Sequence, residues 1–275
     1  MKEIVTRSIS GVIFVAIVLA SLLLSPFTYL AVFAVIIVLV MREYLQLSVG
    51  EGKGVLKFAA IAAGVLLFVI SFLVLGYGWN VLWLLAIPAI CVLLPIINLY
   101  SGSYNGLGNA FASIIYIALP FALLNLIAFP RYWSGVYNGW TTFAMFVILW
   151  SSDVGAYCFG TMFGQGERGH KLFPSISPKK SWEGIIGGAI TSGIATVILA
   201  VCQVISFSVI GDIAFAAIIF TAGVFGDLAE SQFKRNFGVK DSGTIMPGHG
   251  GMLDRFDSAL LAFPAAAAYT LLMWG

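Results

Sequence analysis

Asp254 and Asp257 stand three residues apart, and so do Asp227 and Glu230. On a helix, residues at that spacing share a face. Two carboxylates so placed can grip one divalent cation or help bridge two. Magnesium takes few carboxylates and completes its shell with water and substrate phosphate oxygens. Lys234, Arg235, Lys240 and Arg255 lie between or beside these acids, a composition suited to phosphate rather than to a bare ion pathway. The stretch from Ser231 to Ser258 also holds the turn Pro247-Gly248-His249-Gly250-Gly251. His249 has no helix face to pack on there, so it reads as a base, a metal ligand or a phosphate donor, with nucleotide or phosphate contact favoured. No His or Cys partner is spaced for zinc.

A second polar constellation lies earlier. Asp153 sits inside an apolar run, where a carboxylate is costly and its default reading is functional. Ser177-Pro178-Lys179-Lys180-Ser181, followed by Glu183, reads as a turn that opens a helix capped by Ser181. A helix N-terminus beside two lysines is a ready anion site. Gly184, Gly187 and Gly188 would let helix backbones or a ligand approach closely.

The elements that must position these groups are membrane helices. Of 275 residues, 60% are hydrophobic and 9% charged, against roughly 25% charged in soluble domains. Continuous apolar runs exclude a transmembrane β-barrel, whose strands alternate. The expected fold is an all-α polytopic membrane protein with about nine transmembrane helices, near 8–25, 27–42, 55–76, 80–99, 109–129, 139–160, 184–207, 209–230 and 256–274. Pro88, Pro95, Pro120 and Pro264 fall inside spans and predict kinks. With the N-terminus in the cytoplasm, every Lys and Arg except Arg131 falls on the cytoplasmic side, as the positive-inside rule requires. The C-terminus then lies outside the cytoplasm. The acids, Asp212 excepted, gather on the same side, which points to a metal or polyphosphate site there.

Residues 1–130 read as N-terminal scaffold helices. Residues 131–275 read as the catalytic region, with cytoplasmic polar loops 161–183 and 231–255. The N-terminal apolar stretch is long for a signal peptide and reads as a retained first helix. Cys91, Cys158 and Cys202 fall in apolar runs without metal spacing and read as small apolar side chains. A net charge of +2 leaves no nucleic-acid footprint.

Metal-binding acids, phosphate-binding cations and a membrane interface together fit phosphoryl or nucleotidyl transfer between a soluble nucleotide and a lipid. An ion-coupled transporter would place its charges near the bilayer midplane and show inverted repeats; here the charges cluster at one face and no repeat is evident. Another lipid-phosphate or CTP-using transferase is the nearer alternative. A CDP-alcohol phosphotransferase would show Asp-Gly-x2-Ala-Arg, which is absent.

The run from Ser231 to Asp257, with Phe233, Lys234, Arg235, Lys240, Asp241, Gly243, Pro247, His249, Gly250, Gly251, Met252, Asp254, Arg255 and Phe256 at their places, resembles the signature of the phosphatidate cytidylyltransferases, the CDP-diacylglycerol synthases. Asp153-x-Gly155-Ala156-Tyr157 and Ser177 to Gly184 resemble that family's second block. Met246 stands where the family usually has Leu, Ile or Phe, and Ser175 where some members carry a basic residue. The first half is similar only in hydropathy. The resemblance implies that CTP and phosphatidic acid give CDP-diacylglycerol and pyrophosphate. It also implies Mg2+, often a monovalent cation such as K+, a homodimer, and a bacterial-type inner membrane with the site facing the cytoplasm. On this reading Asp227, Asp254 and Asp257 hold the metal, and Asp153 completes that site or orients a lysine. Lys234 joins these acids in catalysis. Lys179, Lys180, Arg235 and Arg255 hold the triphosphate, pyrophosphate or lipid headgroup. Ser177, Ser181, Ser231, Lys240, Asp241, His249, Gly250 and Gly251 complete the substrate-binding set.

Overall fold

The computed structural model describes residues 2–100, 104–130, 136–165, 169–205, 207–246, 248 and 250–274, and the side chains of those from 9 to 273. The helices are α1 (Lys2–Leu24), α2 (Pro26–Val49), α3 (Gly54–Tyr77), α4 (Ala86–Leu99), α5 (Leu107–Ser113) and α6 (Leu119–Ala128). They continue with α7 (Trp140–Phe163), α8 (Trp182–Val201), α9 (Val209–Asn236) and α10 (Leu253–Trp274). Among the described residues, eight segments are long and apolar enough to cross a membrane, and Ile9–Leu24 of α1 adds a shorter apolar stretch. The protein is an all-α integral membrane protein, as its composition requires. One small addition is an antiparallel hairpin, β1 (Lys171–Phe173) with β2 (Ser177–Ser181), between α7 and α8.

Local chemistry explains the breaks. Ser25 caps α2 in a capping box with Thr28, and Pro26 occupies the first turn, where its missing N–H costs nothing. Pro120 lacks the N–H that an α-turn would use, and the five residues before Leu119, Ile114–Ala118, widen into a π-turn that joins α5 to α6 in one span. Pro95 and Pro264 lie inside α4 and α10. Pro88 falls in the first turn of α4, which a 3-10 turn at Val81–Leu85 precedes.

The chain divides into two compact units, and the division does not follow chain order. Residues 1–139 and 241–256 form one; residues 140–240 and 257–275 form the other. In the first unit Tyr29, Phe33, Phe68, Phe72, Phe121 and Phe129 are fully buried. Asn125 is buried among them and fully engaged. It accepts from Tyr29 Oη at 3.0 Å and donates to Phe68 O at 3.1 Å and Ser71 Oγ at 2.7 Å. A polar group away from water needs such partners. Tyr137, in the connection before α7, donates to Leu22 O at 2.9 Å, and burial pushes its phenol above the ordinary range, so it remains a donor.

In the second unit α7 and α8 pack through small residues. A methyl on Gly184 would sit 2.9 Å from Ala156 O, and one on Gly188 would sit 3.0 Å from Ser152 O. Thr191 Oγ1 reaches across to Ser151 O at 2.8 Å. The glycines at the start of α8 therefore serve close backbone approach.

Candidate functional site

α9 runs past the span end expected at 230, to Asn236, so Ser231, Lys234 and Arg235 project from a helix and not from a loop. Pairs one turn apart sustain the extension. Ser231 Oγ donates to Asp227 Oδ1 at 3.2 Å, and Lys234 Nζ meets Glu230 Oε2 at 2.6 Å. Lys234 and Arg235 in the last turn oppose the helix dipole favourably. Gly238, at φ +68°, then closes a Schellman motif: its own N–H bonds Arg235 O, and the Val239 N–H bonds Lys234 O. Arg235 Nη1 holds Val239 O at 3.1 Å.

Glu230 is fully buried, and it belongs to a carboxylate cluster. Asp257 lies within electrostatic reach of Asp227, Glu230 and Asp153, strongest for Asp227. Gly226 makes part of this approach possible. A side chain there would strike Asp257 O at 2.6 Å and Ser258 O at 2.9 Å, so α9 and α10 meet backbone to backbone beside Asp227 and Asp257. Asp257 Oδ1 also accepts the Ser258 N–H at 2.6 Å.

The hairpin brings a cation to this cluster. Lys180 Nζ stands 2.5 Å from Asp227 Oδ2, with both side chains partly exposed. Lys179 and Lys180 lie on β2, and not on the helix-opening turn expected for them. Ser181 does cap α8, accepting from Gly184 N at 3.2 Å. Glu183 grips the start of the hairpin through His170 N at 3.1 Å and His170 Nδ1 at 2.9 Å. Gln165 Nε2 donates to Lys179 O at 2.8 Å, and Lys171 Nζ donates to Gly164 O at 3.0 Å. The strand carrying Lys180 is thus tied to the ends of both α7 and α8. Ser177 begins β2, and Lys240, at the end of this unit's run, is exposed.

In the first unit, the loop 241–252 is built around two carboxylates. Asp254 Oδ2 accepts from Ser242 N at 3.0 Å, Ser242 Oγ at 3.1 Å and Gly251 N at 2.7 Å. Glu43, from α2, takes the next two N–H groups: Met252 N at 2.9 Å on Oε1 and Leu253 N at 2.8 Å on Oε2. Ser242 Oγ adds a contact to Glu43 Oε2 at 3.0 Å. A buried carboxylate at a helix N-terminus satisfies orphan donors and complements the dipole. The glycines have separate reasons. Gly248 and Gly250 sit at φ +75° and +83°, and a Met246–Gly250 bridge closes the turn around them. Gly251 has no room for a Cβ, which would strike Ser242 Oγ and Glu43 Oε2. Asp241 is exposed, Arg255 is half-buried, and His249 lies outside the described residues.

The structure therefore brings Asp153, Asp227, Glu230, Asp257, Lys180 and Lys234 together in one unit. It gives Asp254, Gly250 and Gly251 a loop-building role in the other. Glu43 is the residue sequence reasoning missed. It follows Arg42 at the end of a span and reads there as an interfacial acid; its near-complete burial, 2% exposed, is a property of the fold.

Among the described residues, Asp153, Asp227, Glu230 and Asp257 gather with Lys180 and Lys234, a donor set able to hold a hard divalent cation. Among the described residues no three His, Cys, Asp or Glu side chains form a metal cage.

Fold and site define a polytopic membrane protein with a carboxylate–lysine centre. The chain belongs to the cytidylyltransferase family, whose model matches residues 5–273. It is similar to proteins named phosphatidate cytidylyltransferase from Staphylococcus saprophyticus (45% identical), Staphylococcus haemolyticus (46%) and Staphylococcus aureus (48%), in each case over 119 residues. That match covers 43% of this chain and 44% of each relative, less than half the length of either.

Proposed function

We propose that this chain transfers the cytidylyl group of CTP to phosphatidic acid, forming CDP-diacylglycerol and releasing pyrophosphate. The observation that carries the reading is the convergence of Asp257, Asp227, Glu230 and Asp153, carried by apolar helices, with Lys180 of the hairpin. Charge-rich chemistry placed there can serve one substrate from water and one from lipid.

The lipid phosphate is already an anionic nucleophile, so neither a strong base nor a covalent enzyme intermediate is required. Its oxygen attacks the α-phosphorus of CTP, and the bond from that phosphorus to the bridging oxygen of pyrophosphate breaks. Asp227 and Asp257 would hold Mg2+, which when bound supplies Lewis-acid neutralisation of phosphate charge. Lys180 and Lys234 place positive charge beside the reacting phosphates, and Asp153 and Glu230 keep those lysines oriented. Arg235, Lys179 and Lys240 attract the polyphosphate. The distribution of Lys and Arg supports a cytoplasmic N-terminus and a site facing the cytoplasm from a bacterial-type inner membrane. A homodimer and a monovalent cation such as K+ are parts of the same reading, supported by the family resemblance.

The test is CTP-dependent conversion of phosphatidic acid by the purified chain in detergent, with Asp227→Asn and Asp257→Asn alongside. Loss of product in both variants supports the reading. Wild-type rates in both would sink the metal site, and pyrophosphate release without phosphatidic acid would sink the lipid acceptor.

A further inference from the structure

Two apolar cavities line the same pair of helices, α8 and α9. One, of about 340 Å³, is walled by Trp182, Ile185, Thr221, Val224 and Leu228, with Leu172 and Phe173 of the hairpin at its edge. The other, of about 400 Å³, lies farther along and is walled by residues such as Ser192, Gly193, Val197, Ile213 and Ala217. Phe220 lines both.

Two residues that wall the first cavity neighbour the charged centre along the chain. Leu228 follows Asp227 in the chain, and Trp182 lies two residues after Lys180, the partner of Asp227 at 2.5 Å. Its depth is that of one leaflet. From Leu228 to Phe220 α9 rises about 12 Å at ~1.5 Å per residue, and half of a ~30 Å hydrocarbon core is about 15 Å. The second cavity is apolar although it contains hydroxyls. Ser192 Oγ donates to Ala189 O at 3.0 Å and Thr196 Oγ1 donates to Ser192 O at 2.7 Å, so both are engaged with their own helix. Asp212, at its far end, accepts the Phe207 N–H at 3.2 Å within the first turn of α9.

From two apolar cavities that share Phe220 along α8 and α9, the nearer one walled by residues next to the Lys180–Asp227 pair in the chain, we infer that the α8–α9 groove seats one acyl chain of the lipid substrate. The inference rests on the proposed lipid-phosphate reading. The headgroup lies by Lys180 and Asp227, the first carbons of the chain fill the nearer cavity, and Phe220 forms a waist. Carbons beyond that waist occupy the farther cavity. The chain leaves one hydrocarbon phase for another, so the groove discriminates by chain length through packing contacts and steric fit and not through transfer from water.

The experiment compares kcat/KM for dioctanoyl and dioleoyl phosphatidic acid with CTP, using the full chain in detergent. Thr221 is exposed on the wall of the nearer cavity, and a Cβ on Gly193 meets nothing within 4 Å, so Thr221→Trp and Gly193→Phe place bulk in the groove. Each is expected to lower the dioleoyl-to-dioctanoyl ratio about tenfold, whereas Ile194→Phe, on α8 but off the groove, leaves it within twofold. An unchanged ratio in both groove variants overturns the inference. In parallel, a phosphatidic acid with a diazirine in one acyl chain is cross-linked to the wild-type chain. Adducts on 182–200 and 213–228 support the groove, and adducts elsewhere overturn it, including in the case where no lipid is turned over and the proposed reaction itself fails.

Discussion

Glu43 Oε2 accepts the backbone N–H of Leu253 at 2.8 Å, although 210 positions of chain separate them. With Met252 N on Oε1 and Ser242 Oγ also on Oε2, one α2 carboxylate sets the conformation of the loop 241–252 and the start of α10. Glu43→Ala strands these donors in a buried place, at about 1–3 kcal/mol for each unsatisfied group. The expected result is a clear fall in thermal midpoint in detergent together with loss of turnover. Glu43→Asp, one methylene short, should recover part of both. A midpoint equal to wild type in Glu43→Ala would show that the loop does not depend on this carboxylate.

Asp254 and Asp257 share a motif but meet different surroundings. Asp254 Oδ2 is engaged by three donors, so Asp254→Asn is expected to lower stability by about 1–3 kcal/mol. Asp257 sits in the field of three other carboxylates, so Asp257→Asn relieves repulsion and should leave the metal-free midpoint unchanged or slightly raised. Its deficit should appear as loss of stabilisation by added Mg2+. Thermal melts of both variants with EDTA and with Mg2+ make the comparison.

Lys180 Nζ pairs with Asp227 Oδ2 at 2.5 Å. Lys180→Met removes positive charge from the place where the proposed reaction would develop phosphate charge, and should reduce kcat by about 10²-fold. Lys180→Arg restores charge with a different fork geometry and should recover part of the rate. Steady-state kinetics across both variants would reveal a purely structural role if Met and Lys proved equal.

Gly226 and Gly193 are glycines in neighbouring helices with opposite surroundings. A methyl at Gly226 strikes the Asp257 and Ser258 carbonyls, whereas one at Gly193 meets open space. Gly226→Ala should therefore cost about 1–3 kcal/mol through overpacking and reduce activity by moving Asp227 relative to Asp257. Gly193→Ala should be neutral to slightly stabilising in a helix. Paired thermal melts and turnover measurements decide the matter.

Much of this fold can be read along the chain because hydropathy is a local property. The span limits near Pro26, Gly54 and Val209, the Ser25 cap with Pro26 in the first turn and the Ser181 cap all follow from adjacent residues. The continuation of α9 to Asn236 was less legible, since the polar residues there look like a loop until their one-turn pairs are formed. The β-strand character of Lys179 and Lys180 was hidden for the same reason. It depends on pairing with Lys171 and Phe173 and on the clasp from Glu183.

Sequence alone determined that this is a membrane protein, and it marked the acids and lysines around Asp227 and the Gly-rich motif as the candidate site, with a composition that suits phosphate. Composition, spacing and charge bias carry that information without reference to distant residues. The tertiary structure decided which carboxylate does what. Asp257 joins Asp227, Glu230 and Asp153, while Asp254 and Glu43 hold a loop in place. That partition depends on which backbones approach closely enough to exchange hydrogen bonds, and Gly226 and Gly251 permit such approaches only where the folded chain brings their neighbours to them.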